Sequence, residues 1–143
     1  MIYLLRHGDA EDGDGDDAAR RLTAKGERQA RSAGLALRAL DVGIDACLSS
    51  PRVRALDTAR LACEALGVEV EVTEALGGGR FDALDLAAGR GEVLLVGHEP
   101  DFSAEVGRLT GANVKMKKGG VAVVDGSTLV ALLRPGELAR IAR

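Results

Sequence analysis

The sequence predicts an α/β fold in which helices cover both faces of a central sheet, and three observations carry that prediction. Short apolar runs alternate with longer segments of helical period along the 143 residues, the pattern of successive βαβ units. Aromatic residues make up only 2% of a chain that is 46% hydrophobic. The core must therefore be assembled from Leu, Val, Ala and Ile, which suits sheet–helix packing. Asp125-Gly126 separates two apolar runs near the C-terminus, a strong hairpin signal. The last two strands should then be antiparallel neighbours, while the earlier ones, joined through helices, should run parallel.

Taken in order, the first strand is residues 2–6, an apolar run closing on Arg6, His7 and Gly8. Residues 12–17, all Asp and Gly, lack the apolar content to fold and predict a mobile loop. A helix is expected over 23–40, where Thr23 can cap the first turn and Ala30, Ala33, Leu37 and Leu40 recur at helical spacing. A strand at 46–49 leads into a helix over 51–66. Ser50-Pro51 opens that helix, and Leu56, Ala59, Ala62 or Cys63, and Leu66 fall on one face. Further strands are expected at 68–72, 93–97, 121–124 and 128–133, with helices over 81–88, 100–109 and 135–141. No repeat, linker or composition shift divides the chain, which reads as a single domain over residues 1–143.

Composition excludes several functions. Net charge is −3 and the basic residues are dispersed, so neither an electrostatic footprint nor stacking aromatics for nucleic acid is present. No apolar stretch approaches the roughly 20 residues that span a bilayer. Arg6 inside the first strand argues against a signal peptide. Cys47 and Cys63 lie in apolar surroundings and read as buried thiols. A cytoplasmic location is the expectation.

The chain has two histidines, and both follow apolar strand runs. His7 stands behind Ile2-Tyr3-Leu4-Leu5-Arg6, and His98 behind Val93-Leu94-Leu95-Val96-Gly97. Strand ends of an open α/β sheet share one edge, where such folds bind ligands. The same edge should hold Ser49-Ser50-Pro51-Arg52 and the region of Glu74. Arginine presents a planar fork of donors matched to phosphate oxygens. Arg52 falls in the first turn of its helix, where free N–H groups also favour an anion. Two arginines, two histidines and two helix N-termini make a phosphate-sized pocket. Cations around His7 disfavour its imidazolium, leaving a neutral nucleophile for attack on phosphorus.

These residues give the chain a resemblance to the histidine phosphatase (phosphoglycerate mutase-like) superfamily, nearest to its small SixA-type phosphohistidine phosphatases. Four blocks carry it in order. They are Leu4-Leu5-Arg6-His7-Gly8-Asp9-Ala10; Arg21-Leu22-Thr23 with Gly26 and Gln29-Ala30; Ser49-Ser50-Pro51-Arg52-Val53-Arg54-Ala55 with Thr58-Ala59; and Val96-Gly97-His98-Glu99-Pro100. The resemblance implies a three-layer α/β/α sandwich with a mostly parallel central sheet. It implies His7 as nucleophile and transient phosphoryl carrier, Arg6 and Arg52 as clamps on the phosphoryl oxygens, and His98 as a donor stabilising the transition state. No metal or other cofactor is implied, since cationic side chains supply the electrostatic stabilisation. For the proton donor, larger relatives use a glutamate after the third strand or an acid behind the second histidine. Glu74 fits the first and is assigned the role, with Glu99 and Asp9 as alternatives.

Plainer readings account for other features. Of Arg52, Arg54 and Arg60, only Arg52 lies at a strand-to-helix junction, and a solvated helix face explains the other two. The acidic run from Asp9 to Asp17 lacks histidine partners and EF-hand spacing, and reads as solvated loop rather than metal site. His98-Glu99-Pro100-Asp101 has no second histidine four residues on, so it is not a zinc helix. Gly77-Gly78-Gly79 reads as a flexible loop. Lys115, Lys117 and Lys118 read as surface charges, with the pocket rim as the alternative. The expected partner is a phosphohistidine-bearing protein, because residues 74–91 leave little room for a lid over a small substrate. A small phosphate ester is the alternative substrate, and a non-catalytic phosphate-binding module is the reading from another class.

Overall fold

β1 (Ile2–Arg6), β2 (Ala46–Ser49), β3 (Val70–Val72), β4 (Val93–Gly97), β5 (Val121–Asp125) and β6 (Thr128–Leu133) form one sheet in the order β3-β2-β4-β1-β5-β6. The computed structural model describes residues 1–13 and 15–143; Asp14, part of the acidic run, lies outside the described residues. β3, β2, β4 and β1 are mutually parallel, β5 is antiparallel to β1, and β6 is antiparallel to β5. The mostly parallel sheet with a closing hairpin is the predicted class. Parallel strands buried on both faces require apolar residues at every position, not alternate ones. Accordingly, Ile2 to Leu5 of β1 and all of β4 are buried.

The pleat sorts these residues into two cores. Ile2 and Leu4, with Leu48, Leu95 and Val124, face α3 (Ala83–Ala87) and α4 (Asp101–Thr110), where they meet Ala83, Phe102 and Val106. Tyr3 and Leu5, with Cys47, Leu94 and Val123, face α1 (Ala24–Ala39), α2 (Val53–Leu66) and α5 (Pro135–Ile141), where they meet Leu37, Ala59 and Leu138. The result is a three-layer α/β/α arrangement. The small residues of α1 and α2 let those helices approach backbone to backbone: a Cβ on Gly34 would lie 2.2 Å from the Ala62 carbonyl oxygen. Cys47 and Cys63 are free and buried, as expected. No helix among the described residues is long and apolar enough to cross a membrane.

Several boundaries shift for local reasons. Thr23 caps α1 as expected, its Oγ1 accepting from the Gly26 N–H at 3.1 Å. α1 ends sooner, however, and Leu40 is half exposed. β3 begins at Val70, where pairing with Cys47 starts. α3 begins at Ala83 because Asp82, not Phe81, is its cap, with its side chain accepting from the Asp85 N–H. The largest correction concerns α2, which starts at Val53 with Arg52 as an extended cap residue outside the helix. Its buried face runs Arg54, Ala55, Thr58, Ala59, Ala62 and Cys63, while Leu56 and Leu66 are only partly buried.

Candidate active site

Parallel pairing of β1 with β4 puts Arg6 opposite Gly97, so the residues that follow each strand emerge side by side. The His7 N–H donates to the Gly97 carbonyl at 3.0 Å, and the Ser50 N–H, at the end of β2, donates to Val96 at 3.0 Å. The imidazoles of His7 and His98 lie 5.3 Å apart between ring centroids, tilted by 55°. Gly8 is required by the close packing of this edge against α1. A Cβ there would sit 2.5 Å from the Gly26 carbonyl oxygen. The Gly8 N–H donates to Thr58 Oγ1 at 3.0 Å, which ties the edge to α2.

Both histidines are buried. His7 Nδ1 lies 2.7 Å from the Gly8 carbonyl oxygen. A carbonyl only accepts, so Nδ1 carries the proton and the lone pair of neutral His7 is on Nε2. Burial above all, then the cations Arg54, Arg6 and Lys118, lowers the His7 pKa to about 4, against the opposing effect of the Gly8 hydrogen bond. Burial, His7 and the arginines Arg54 and Arg52 lower that of His98 to about 3. The neutral state expected of His7 is thus due mainly to desolvation and only secondarily to cations. His98 Nε2 lies 2.7 Å from Ser50 Oγ, which accepts from the Arg52 N–H at 3.2 Å. That acceptance leaves the hydroxyl proton for Nε2 and favours neutral His98 with its proton on Nδ1.

Arg6 sends Nη1 to the Met116 carbonyl at 2.9 Å. Arg54 is fixed from the opposite side by the connection between β1 and α1, where Asp17–Ala19 form a single 3-10 turn capped by Asp16. The Asp17 carbonyl accepts from Arg54 Nη1 at 2.8 Å and its Oδ2 from Nη2 at 3.1 Å. Oδ2 also accepts from Arg52 Nη1. The Asp17 carboxyl is held below its ordinary pKa by hydrogen bonds from Arg20 and Arg54. Three buried nitrogens, Arg6 Nε, Arg54 Nε and His98 Nδ1, have no protein partner among the described residues. Buried donors of this kind are normally satisfied. Three of them, on cations and a polar ring at one strand edge, suit the oxygens of an oxyanion.

Each expected site residue can now be located. Arg6, His7 and His98 meet at the edge, and Arg52 lies on its rim. The Arg52 side chain is 35% exposed, against 8% for Arg54, and its Nε donates to the Gly77 carbonyl at 2.8 Å. The solvated-face reading of Arg54 is therefore corrected: the register of α2 buries Arg54 beside Thr58, and the cap position leaves Arg52 outside. Glu74 opens a 3-10 turn, Glu74–Leu76, and is exposed. It is not among the groups that shift either imidazole. Glu99 accepts from the Ser103 N–H at 2.7 Å and from its hydroxyl. Asp9 accepts from the Thr23 hydroxyl at 2.8 Å. Asp17 and Arg54 are the residues that sequence reasoning missed. A signal for Arg54 existed in its spacing of four from Thr58, in phase with Ala55, Ala59 and Ala62. Nothing local marked Asp17, whereas Glu11, Asp12, Gly13, Gly15 and Asp16 are exposed, as the solvated-loop reading expects.

The neutral imidazoles lead to a direct check. Both folded pKa values lie below the unfolded value of 6.5, so the unfolded chain binds more protons between them. This contribution to stability is complete above about pH 6.5 and is lost as pH falls through about 4 for His7 and about 3 for His98. Long-range 1H–15N spectra at about pH 6 should show His7 neutral and protonated on Nδ1. An imidazolium signal from His7 at that pH would refute the assignment.

A family model described as the histidine phosphatase superfamily (branch 1) matches residues 2–85. An uncharacterized protein from Picosynechococcus sp. is 34% identical over an alignment covering 84% of this chain and 81% of the relative. The structure of the protein histidine phosphatase SixA complexed with tungstate is similar over 96% of this chain and 98% of that one, with 25% identity and a TM-score of 0.82. A phosphoserine phosphatase from Entamoeba histolytica, solved with 3-phosphoglyceric acid, superposes with a TM-score of 0.70 over 96% of this chain and 98% of its own. Its 17% identity makes that likeness one of fold.

Proposed function

The chain belongs to the histidine phosphatase superfamily, branch 1, and from that premise we propose that it removes phosphoryl groups from phosphohistidine on proteins, with His7 as nucleophile. His7 Nε2 attacks phosphorus in line, and the bond from phosphorus to the substrate imidazole breaks with its electron pair leaving on that nitrogen. The phosphoryl group then rests on His7, and water displaces it as inorganic phosphate. Arg6 and Arg54 hold the phosphoryl oxygens through their inward nitrogens. His98 Nδ1–H donates where charge develops. The clamp role thus falls to Arg54, and Arg52 guides the anion at the rim. No metal ion takes part in this scheme. The oxyanion held by the SixA neighbour is of the same chemical class as the group this cluster would receive.

One observation carries the choice of phosphohistidine: the candidate acids are either engaged in other hydrogen bonds or exposed. Glu99 is tied to Ser103, Asp9 to Thr23, and Glu74 stands exposed on its turn. An alkoxide leaving from an ester must be protonated as it departs, whereas imidazole leaves a phosphoramidate with much less acid assistance. A panel of a histidine-phosphorylated protein, free phosphoramidate and small phosphate esters tests this. The phosphoprotein should show the highest kcat/KM, and Glu74→Gln or Glu99→Gln should slow phosphoramidate hydrolysis by less than about threefold. A small ester that outperforms the phosphoprotein and depends strongly on Glu74 would replace this reading with that of a metabolite phosphatase.

A further inference from the structure

A cavity of about 690 Å³ opens beside the phosphoryl pocket and shares a wall with it. Arg6, Lys25, Lys117, Lys118, Arg134 and Arg140 line it, against the carboxylates of Asp9 and Glu137. The whole chain carries a net charge of −3, so this groove concentrates charge opposite in sign to the rest. Two of the cations are already paired, Lys118 with Asp9 at 3.5 Å and Arg134 with Glu137 at 2.6 Å. Lys25, Lys117 and Arg140 have no ion pair among the described residues, and all three are exposed. They come from the first turn of α1, the loop before β5, and α5.

The groove is joined to the chemistry at two points. Arg6 belongs to both walls, and Lys118, on the groove side, is among the charges that bear on His7. A substrate seated with its phosphoryl group against Arg6 and His7 must therefore extend what surrounds that group toward the cations. Small-molecule pockets are mostly apolar with a few convergent polar groups. In this groove eight of the eleven lining residues are charged, and Gln29, Pro135 and Gly136 are the uncharged ones. Charges spread over three elements suit several carboxylates on a surface.

We infer that the groove binds an acidic protein segment flanking the phosphohistidine, and so selects among phosphorylated proteins by charge. The inference rests on the phosphohistidine reading above and names its substrate class. Exposed complementary charges act mainly on association and are screened by salt, so the selection should appear in kcat/KM and fade as ionic strength rises.

The test uses two synthetic histidine-phosphorylated peptides of equal length, one with glutamates and one with glutamines around the phosphohistidine. At low salt the wild type should favour the glutamate peptide by about tenfold or more in kcat/KM. In the double variant Lys117→Glu/Arg140→Glu that preference should vanish or invert, while hydrolysis of free phosphoramidate stays within about twofold and so reports an intact site. The neutral pair Lys117→Gln/Arg140→Gln should give an intermediate preference. Hydrolysis of both peptides at equal rates by the wild type, or a preference that survives charge reversal, would overturn the inference and leave the phosphohistidine reading standing. Failure to hydrolyse either peptide would instead remove that reading. A small bisphosphate whose KM rises in the double variant, with the peptides indifferent to it, would assign the groove to a metabolite and also overturn the inference.

Discussion

Replacing His7 by alanine is expected to lower turnover by roughly four orders of magnitude or more, because the proposed acceptor of the phosphoryl group is removed. The imidazole is buried at the strand edge, outside any helix, and its hydrogen bond is to its own neighbour Gly8. The variant should therefore fold and melt within a few degrees of wild type. Rapid quench with labelled substrate should trap an acid-labile phosphoenzyme in the wild type and none in His7→Ala. A variant that kept more than about a few per cent of activity would sink the covalent mechanism, since orientation and charge alone leave only small residual rates.

The second large effect is expected at Arg54, not Arg52. Arg54→Lys keeps the charge but loses the fork. Two of its N–H groups are already given to Asp17, and its buried Nε, which has no protein partner among the described residues, remains a donor for substrate. Lysine cannot bond Asp17 and present a second fixed donor at once, so kcat/KM should fall on the order of 10²-fold. Arg52→Lys, on the exposed rim, should cost less than about tenfold, through KM more than kcat, since it screens and guides the anion without surrounding it. Equal losses at the two positions, or the reverse order, would place the clamp at Arg52. Retained α-helical content and melting temperature in Arg54→Lys would separate a catalytic loss from a folding one.

The difference between the two arginines shows where sequence reasoning ends. From the sequence alone came the class of the fold, the parallel sheet with its terminal hairpin, the Thr23 cap, and the pairing of His7 with His98 at one strand edge. Each of these is written locally. An apolar run, a capping residue or an Asp-Gly turn specifies its own element, and βαβ handedness then forces strand ends to one side. The tertiary structure alone decided which arginine the edge receives. The phase of α2 depends on the residue at which it starts and on its backbone contact with Gly34 of α1. A shift of two residues in that start exchanges Arg52 and Arg54 between rim and interior. Asp17 reaches across 35 and 37 residues of chain to Arg52 and Arg54, and the basic groove assembles side chains from α1, the loop before β5 and α5. Contacts of that kind have no period and no motif. They exist only once packing has fixed the distances between elements, which is why the two imidazoles could be located in the sequence and only the folded chain could supply what surrounds them.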